Sequence, residues 1–207
     1  MKLFLASEAK HPTSIRELKK FIGTGYKNKK VVYIPTAANG EYYGSWKGGG
    51  SIQTARKLFP NLKVIELEDY LYIDIIKEVK QSDILWIAGG MTGYLMYWIR
   101  RIKLDKVLPE ILNSSTIYIG SSAGSMICAK TLYSAEWYIG EEEPGVSLMH
   151  GFGFIDFEIY PHYEDKLLPK IKKKWKSGKL CLLKNGEVVT MKENRISVIG
   201  KSRFLEK

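Results

Sequence analysis

A chain of 207 residues with 45% hydrophobic, 26% charged and 12% aromatic side chains has the composition of a globular protein, which excludes collagenous, low-complexity and wholly disordered chains. At this length a folded chain buries roughly 70% of its unfolded surface around a sizeable core. Its 32 Lys and Arg outweigh 22 Asp and Glu for a net charge of +10, a balance that could attract acidic substrates, nucleic acid or an anionic membrane.

Short apolar runs alternate with amphipathic segments from end to end, the mark of βαβ units building a mostly parallel sheet. In chain order, 3–5 reads as a strand, 14–21 as a helix and 31–34 as a β-branched strand stopped by Pro35. Segment 51–59 reads as helix, 62–67 as strand, 73–79 as helix and 83–88 as a buried strand. Helices follow at 92–102 and 104–113, then a strand at 116–119, a helix from Gly124 to about Lys130, a loop to Gly153 and a strand at 154–160. Within 166–179, Leu167, Leu168, Ile171 and Trp175 recur at helical spacing with lysines between them, which describes an amphipathic helix with a solvated basic face. Terminal strands fall at 179–183, 187–191 and 196–199, and Asn185-Gly186 predicts a hairpin between the first two, so that the sheet ends antiparallel. With no repeat, linker or composition shift, residues 1–207 read as one domain.

Other classes find little support. No apolar run approaches the ~18 residues of a membrane span, and Glu8 and Lys10 interrupt the N-terminus before a signal peptide could form. Cys128 and Cys181 are too few for a disulfide framework and fit the cytoplasm. They match no metal-ligand spacing, no dinucleotide fingerprint or P-loop is present, and no zinc-finger or RNP motif accompanies the lysines. The expectation is therefore no metal, no cofactor, no nucleic acid and no membrane partner.

The informative turn is Gly120-Ser121-Ser122-Ala123-Gly124, a G-x-S-x-G between a strand and a helix. A sharp strand-to-helix turn strains the central residue and requires glycine at −2 and +2. Ser122 is then presented at a helix N-terminus as a nucleophile, with Ala123 N–H aimed at a developing oxyanion. One strand earlier, Ala88-Gly89-Gly90 lets backbone approach a reacting carbonyl, and Gly90 N–H is the second donor. Loops 37–50 and 134–153 face the carboxyl ends of the strands and are candidate substrate walls.

A serine nucleophile needs a base. His162 follows a strand and Pro161, 40 residues beyond Ser122, and is preferred over His150 and His11. The third member, which orients the imidazole, stays open among Glu136, Asp156, Glu158, Glu164 and Glu187. Alternation turns Asp156 and Glu158 to one face, read as facing solvent.

Ala88-Gly89-Gly90-Met91-Thr92, Gly120 to Ser125, Pro161-His162-Tyr163 and the strand order together resemble the peptidase E and cyanophycinase family of serine peptidases. That resemblance implies an α/β three-layer sandwich, doubly wound with a mostly parallel sheet, akin to class I glutamine amidotransferases. It implies nucleophile Ser122, base His162, oxyanion donors Gly90 and Ala123, and no metal. The acid described after the elbow helix corresponds to Glu136, one residue out of register. Ala88 and Met91 depart from the usual G-G-G-N-T, a glutamate of some relatives aligns with Asn185, and no arginine matches the one that holds an aspartyl side chain. The expected activity is a cofactor-independent serine peptidase working through an acyl-enzyme on short peptides, aspartyl or otherwise acidic. A homodimer is compatible with this reading. The alternatives are an esterase or acyltransferase, and a non-catalytic binding protein on the same fold.

Overall fold

The computed structural model describes residues 1–42, 45–69 and 71–207. Ten strands and nine α-helices occur among them. The strands are β1 (Lys2–Ala6), β2 (Val31–Ile34), β3 (Leu62–Val64), β4 (Ile84–Ile87), β5 (Ile117–Ser121), β6 (Glu158–Tyr160), β7 (Lys179–Leu182), β8 (Val188–Lys192), β9 (Arg195–Ile199) and β10 (Phe204–Glu206). The helices are α1 (Pro12–Ile22), α2 (Thr36–Asn39), α3 (Gly50–Leu58), α4 (Tyr72–Lys80), α5 (Thr92–Arg101), α6 (Leu104–Ser114), α7 (Ala123–Met126), α8 (Tyr133–Glu136) and α9 (Leu168–Lys174).

A seven-stranded sheet in the order β3-β2-β4-β5-β1-β8-β9 forms the middle layer. Its first five strands are parallel, and β8 and β9 close it antiparallel. Both faces are covered, so β2 and β4 are hydrophobic and buried at every position rather than alternating. Leu3, Leu5, Val32, Ile34, Leu85 and Ile87 point to the side of α4, α5 and α6. Phe4, Ala6, Val31, Tyr33, Ile84 and Trp86 point to the side of α1 and α3. The α/β sandwich with a mostly parallel sheet expected from the sequence is the fold observed.

A second sheet, β10-β7-β6, stands apart from the first. One face, with Ile159, Cys181 and Leu183, joins the α4–α6 core. The other, with Tyr160, Leu180 and Leu182, packs on Trp137, Ile171 and Trp175. This sheet overturns the expected 185–186 hairpin: Lys184 to Glu187 is a tight turn, closed by Glu187 N–H donating to Lys184 O at 3.0 Å, but it carries the chain from β7 in one sheet to β8 in the other. The true hairpin joins β8 to β9 through Glu193 and Asn194, at φ 49° and 61°.

The helix expected to reach Lys130 stops at Met126. The returning segment 151–155 takes the carbonyls a longer helix would use, with Phe152 N–H donating to Ile127 O at 2.7 Å and Phe154 N–H to Cys128 O at 2.8 Å. The strands expected at 62–67 and 154–160 form ladders only over Leu62–Val64 and Glu158–Tyr160, with Ile155 adding an isolated bridge to Ala129. Glu158, read as solvent-facing, is buried; its carboxylate accepts from Thr131 Oγ1, Tyr133 N–H and Ser134 N–H and so caps α8.

Candidate active site

The carboxyl ends of β1, β2, β4 and β5 deliver Ser7, Pro35, Gly89-Gly90 and Ser122 to one rim, where ligand crevices form in parallel α/β sheets. A cavity of about 550 Å³ opens there, lined among others by Gly89, Gly90, Ser122, Tyr138, Glu141 and His162. Loop 37–50 contributes Glu41 and Trp46 to its walls, and loop 134–153 contributes Ile139 and Gly140; Tyr43 and Gly44 of the first loop lie outside the described residues.

Ser122 has φ 50° and ψ −115°, a conformation that costs a non-glycine residue of order 1–3 kcal/mol and persists only where the surroundings enforce it. The enforcement is visible. Ser122 N–H donates to Ala6 O at 3.1 Å, and Ser125 and Met126 N–H donate to Ser122 O at 2.7 and 3.0 Å. A methyl carbon on Gly120 would sit 2.5 Å from Gly124 O, and one on Gly124 would sit 2.3 Å from Ile87 O. Both flanking positions therefore require glycine, as the motif implied. Helix α7 spans four residues, so individual N–H groups rather than a helix dipole face the site.

The segment after β4 lies against the serine: a carbon on Gly89 would be 3.7 Å from Ser122 Oγ. Gly90 adopts φ 134° and is pressed on the carbonyl of Ala37, which would lie 2.3 Å from an added Cβ. Among the described residues neither Gly90 N–H nor Ala123 N–H donates to another protein group. Met91 N–H instead ties this segment to Ala37 O at 2.9 Å. Glu143 then clamps the start of α5, its carboxylate accepting from Thr92 N–H at 2.7 Å and Gly93 N–H at 2.6 Å. Burial pushes the Glu143 carboxyl up, against the pull of those two N–H groups.

His162 lies just past β6 with φ 51°. Its N–H donates to Ser7 Oγ at 2.8 Å, and Nδ1 is 2.6 Å from Asn185 Oδ1. An amide oxygen only accepts, so Nδ1 carries the hydrogen and Nε2 presents a lone pair. Ser7 Oγ also donates to Asn185 Oδ1 at 3.3 Å. His162 is thus held at its ring by an amide and at its backbone by a buried serine hydroxyl.

None of the five carboxylates considered as orienter holds that place. Glu136 accepts from Ser147 N–H at 3.2 Å and faces a different groove. Glu136 ends α8 away from the cleft, and the place beside His162 Nδ1 expected for it is taken by Asn185. Glu187 accepts from Lys184 N–H, Lys201 N–H and Arg203 Nη1, the last at 2.6 Å, knotting the two sheets together. Glu164 pairs with Lys166 at 2.7 Å, Glu158 caps α8, and Asp156 is exposed. His150 enters a bridge with Thr131, and His11 accepts from Thr13 N–H as the cap of α1. Asn185 and Ser7 were not among the sequence candidates; the only signal was Asn185 aligning with a glutamate of relatives.

Both cysteines are free and buried. Burial raises the Cys181 thiol to about 12 and that of Cys128 further, which suits packing rather than chemistry. Among the described residues no group of three His, Cys, Asp or Glu side chains is placed to hold a metal ion, and no helix is long and apolar enough to cross a membrane.

Comparison with known proteins bears on this geometry. The sequence profile of peptidase family S51 matches residues 3–199. An uncharacterized peptidase of Listeria innocua is 26% identical over 176 residues, covering 81% of this chain and 83% of the relative. A peptidase E of Nostoc is 26% identical over 157 residues, 74% of this chain and 60% of the relative. In shape, the chain superposes on a crystal structure of a peptidase E candidate from Listeria monocytogenes with a TM-score of 0.81, 20% identity, and 96% and 97% of the two chains covered. A peptidase from an acI-B1 Actinobacterium gives a TM-score of 0.73, also at 20% identity, over 99% of this chain and 93% of the other.

Proposed function

We propose, starting from the fact that the chain belongs to peptidase family S51 and is a serine peptidase, that it hydrolyses short peptides through an acyl-enzyme formed on Ser122. The observation that carries this reading is a serine at φ 50° sharing a cleft with a histidine whose Nδ1 is held 2.6 Å from an amide oxygen.

Ser122 Oγ attacks the scissile carbonyl while Nε2 of His162 takes its proton. The carbonyl oxygen, now negative, accepts from Gly90 and Ala123 N–H, donors already in place because their backbone is locked by Ala37 and by the elbow. As the C–N bond breaks, imidazolium returns the proton to the departing amine, leaving an ester on Ser122. Water then attacks that ester, its proton passes to His162 and back to Ser122 Oγ, and the acid product leaves. Asn185 keeps the imidazole turned to Ser122 throughout, and Ser7 fixes the backbone from which it projects. Two free, buried cysteines support a reducing compartment, the cytoplasm.

The test is a serine-directed phosphonate together with a dipeptide and tripeptide library read by mass spectrometry, on wild type and Ser122→Ala. Labelling of Ser122 and cleavage by the wild type alone are expected. Undiminished cleavage by Ser122→Ala would sink the mechanism.

A further inference from the structure

The chain is strongly basic, yet its cleft is not. Four glutamates, Glu8, Glu41, Glu141 and Glu164, line it against one lysine and no arginine. Two of the four are neutralised locally: Glu8 pairs with Lys10 at 3.4 Å and Glu164 with Lys166 at 2.7 Å. Glu41 and Glu141 have no ion-pair partner among the described residues. Both line the same cleft, and partial loss of water, with the charge of Glu141 adding to it, raises the Glu41 carboxyl.

Glu141 is also placed with respect to the chemistry. Besides the main cleft it lines a small recess floored by Ser122, Gly90, Thr92 and Met126, so it stands beside the nucleophile and the oxyanion segment. The other acid of that recess, Glu143, spends its oxygens on Thr92 and Gly93 N–H. The loop carrying Glu141 is held in place: Tyr138 hydroxyl donates to Pro161 O at 2.8 Å, its ring stacks on Tyr160 at 4.6 Å, and Ile139 N–H donates to Tyr160 hydroxyl at 3.2 Å. Glu141 N–H in turn donates to Tyr138 O at 3.1 Å. The backbone that carries the Glu141 carboxylate is thus anchored next to His162's own strand end, with the Glu41 carboxylate lining the same cleft and no ion-pair partner for either among the described residues.

From this we infer that the peptide taken by the site presents a positive charge beside the scissile bond, received by Glu141 with Glu41 in support, and that aspartyl peptides are its poor substrates. The inference rests on the peptidase reading and names the substrate class for that site. The cation is an ammonium or guanidinium, supplied by a lysyl or arginyl side chain or by the free amino terminus. Opposite charge lowers the energy of the bound peptide, whereas an aspartyl side chain would add a third negative charge.

The experiment uses lysyl, arginyl, alanyl and aspartyl dipeptides, each with a free and an acetylated amino terminus. Their binding to Ser122→Ala is measured by calorimetry and their cleavage by the wild type by mass spectrometry. Lysyl and arginyl members are expected to exceed aspartyl ones by on the order of tenfold to a hundredfold in both readouts. Acetylated lysyl and arginyl members that still bind better than acetylated alanyl ones assign the cation to the side chain, whereas loss of binding on acetylation of every member, alanyl included, assigns it to the amino terminus. Glu141→Gln should shrink the ratio and Glu141→Lys should invert it. Equal binding of lysyl and aspartyl peptides by Ser122→Ala, or an unchanged ratio in Glu141→Gln, overturns the inference while leaving a peptidase intact. A wild type that cleaves nothing and resists phosphonate overturns the peptidase reading instead, and the binding ratio still decides the charge.

Discussion

Replacing Asn185 by alanine removes an acceptor that serves two donors, His162 Nδ1 at 2.6 Å and Ser7 Oγ at 3.3 Å. Asn185 is exposed and does not line the cleft, so water can replace its oxygen and the cost to stability is small, below about 1 kcal/mol. Turnover is more sensitive. Without a fixed acceptor the imidazole can turn on its χ angles and exchange tautomers, so Nε2 faces Ser122 for only part of the time. Misplacement of a reacting group on that scale costs about 10²-fold, which corresponds to about 2.7 kcal/mol of barrier. The loss should fall on kcat, with KM little changed, because Asn185 touches no substrate. Asn185→Asp supplies the same acceptor with a charge that favours imidazolium, so activity should be retained while the acid limb of the kcat/KM profile moves to higher pH. Steady-state kinetics on the best library peptide, with urea midpoints as control, decide the matter. An Asn185→Ala protein within about threefold of wild type would refute a positioning role for this amide.

Two further outcomes follow from the oxyanion side of the site. Gly124→Ala places a carbon 2.3 Å from Ile87 O and 3.1 Å from Ala88 O, both backbone atoms at the end of a central strand; a cost of about 1–3 kcal/mol or more should appear in the urea midpoint, with turnover falling further as the Gly89-Gly90 segment shifts. Glu143 titrates in the opposite sense to a paired carboxylate: burial raises its folded value above the ordinary 4.5, so its contribution to stability is fullest below the unfolded value and is lost as pH rises through the folded one. Wild type should therefore gain on Glu143→Gln in urea midpoint between about pH 7 and about pH 4, and a gap that moves the other way would mean that the Thr92 and Gly93 hydrogen bonds outweigh burial.

Much of the main sheet is legible along the chain because its signals are local. Apolar runs such as Val31–Ile34 and Ile84–Ile87 announce strands buried on both faces, and Gly120 and Gly124 announce the elbow since no side chain fits there. What escapes is set by distant partners. Segment 127–130 has helical composition, but its carbonyls are claimed by residues 151–155. Asn185-Gly186 has hairpin chemistry, yet the strands on either side find different sheets, while Glu193-Asn194 makes the real hairpin without a glycine. β10 is three residues with no pattern of its own. The orienter is missed for a chemical reason: a search for a carboxylate beside His162 passes over an amide, and of the acids considered Glu136, Glu158, Glu164 and Glu187 are engaged by backbone N–H groups, a hydroxyl, a lysine or an arginine, while Asp156 is exposed.

The groups proposed for catalysis belong to different sheets. Ser122 directly follows β5 of the seven-stranded sheet, His162 lies two residues past β6 of the three-stranded one, and Asn185 sits on the chain that passes between them. Catalytic competence therefore depends on the docking of two bodies rather than on either alone. The smaller sheet has strands of three and four residues, and short strands with few ladder bonds are where sub-global opening is expected first. Such an opening would part base from nucleophile in a molecule that still looks native by its helical signal. Peptide hydrolysis is then a gauge of how firmly the two sheets are seated, and it should fade in denaturant before the fold does.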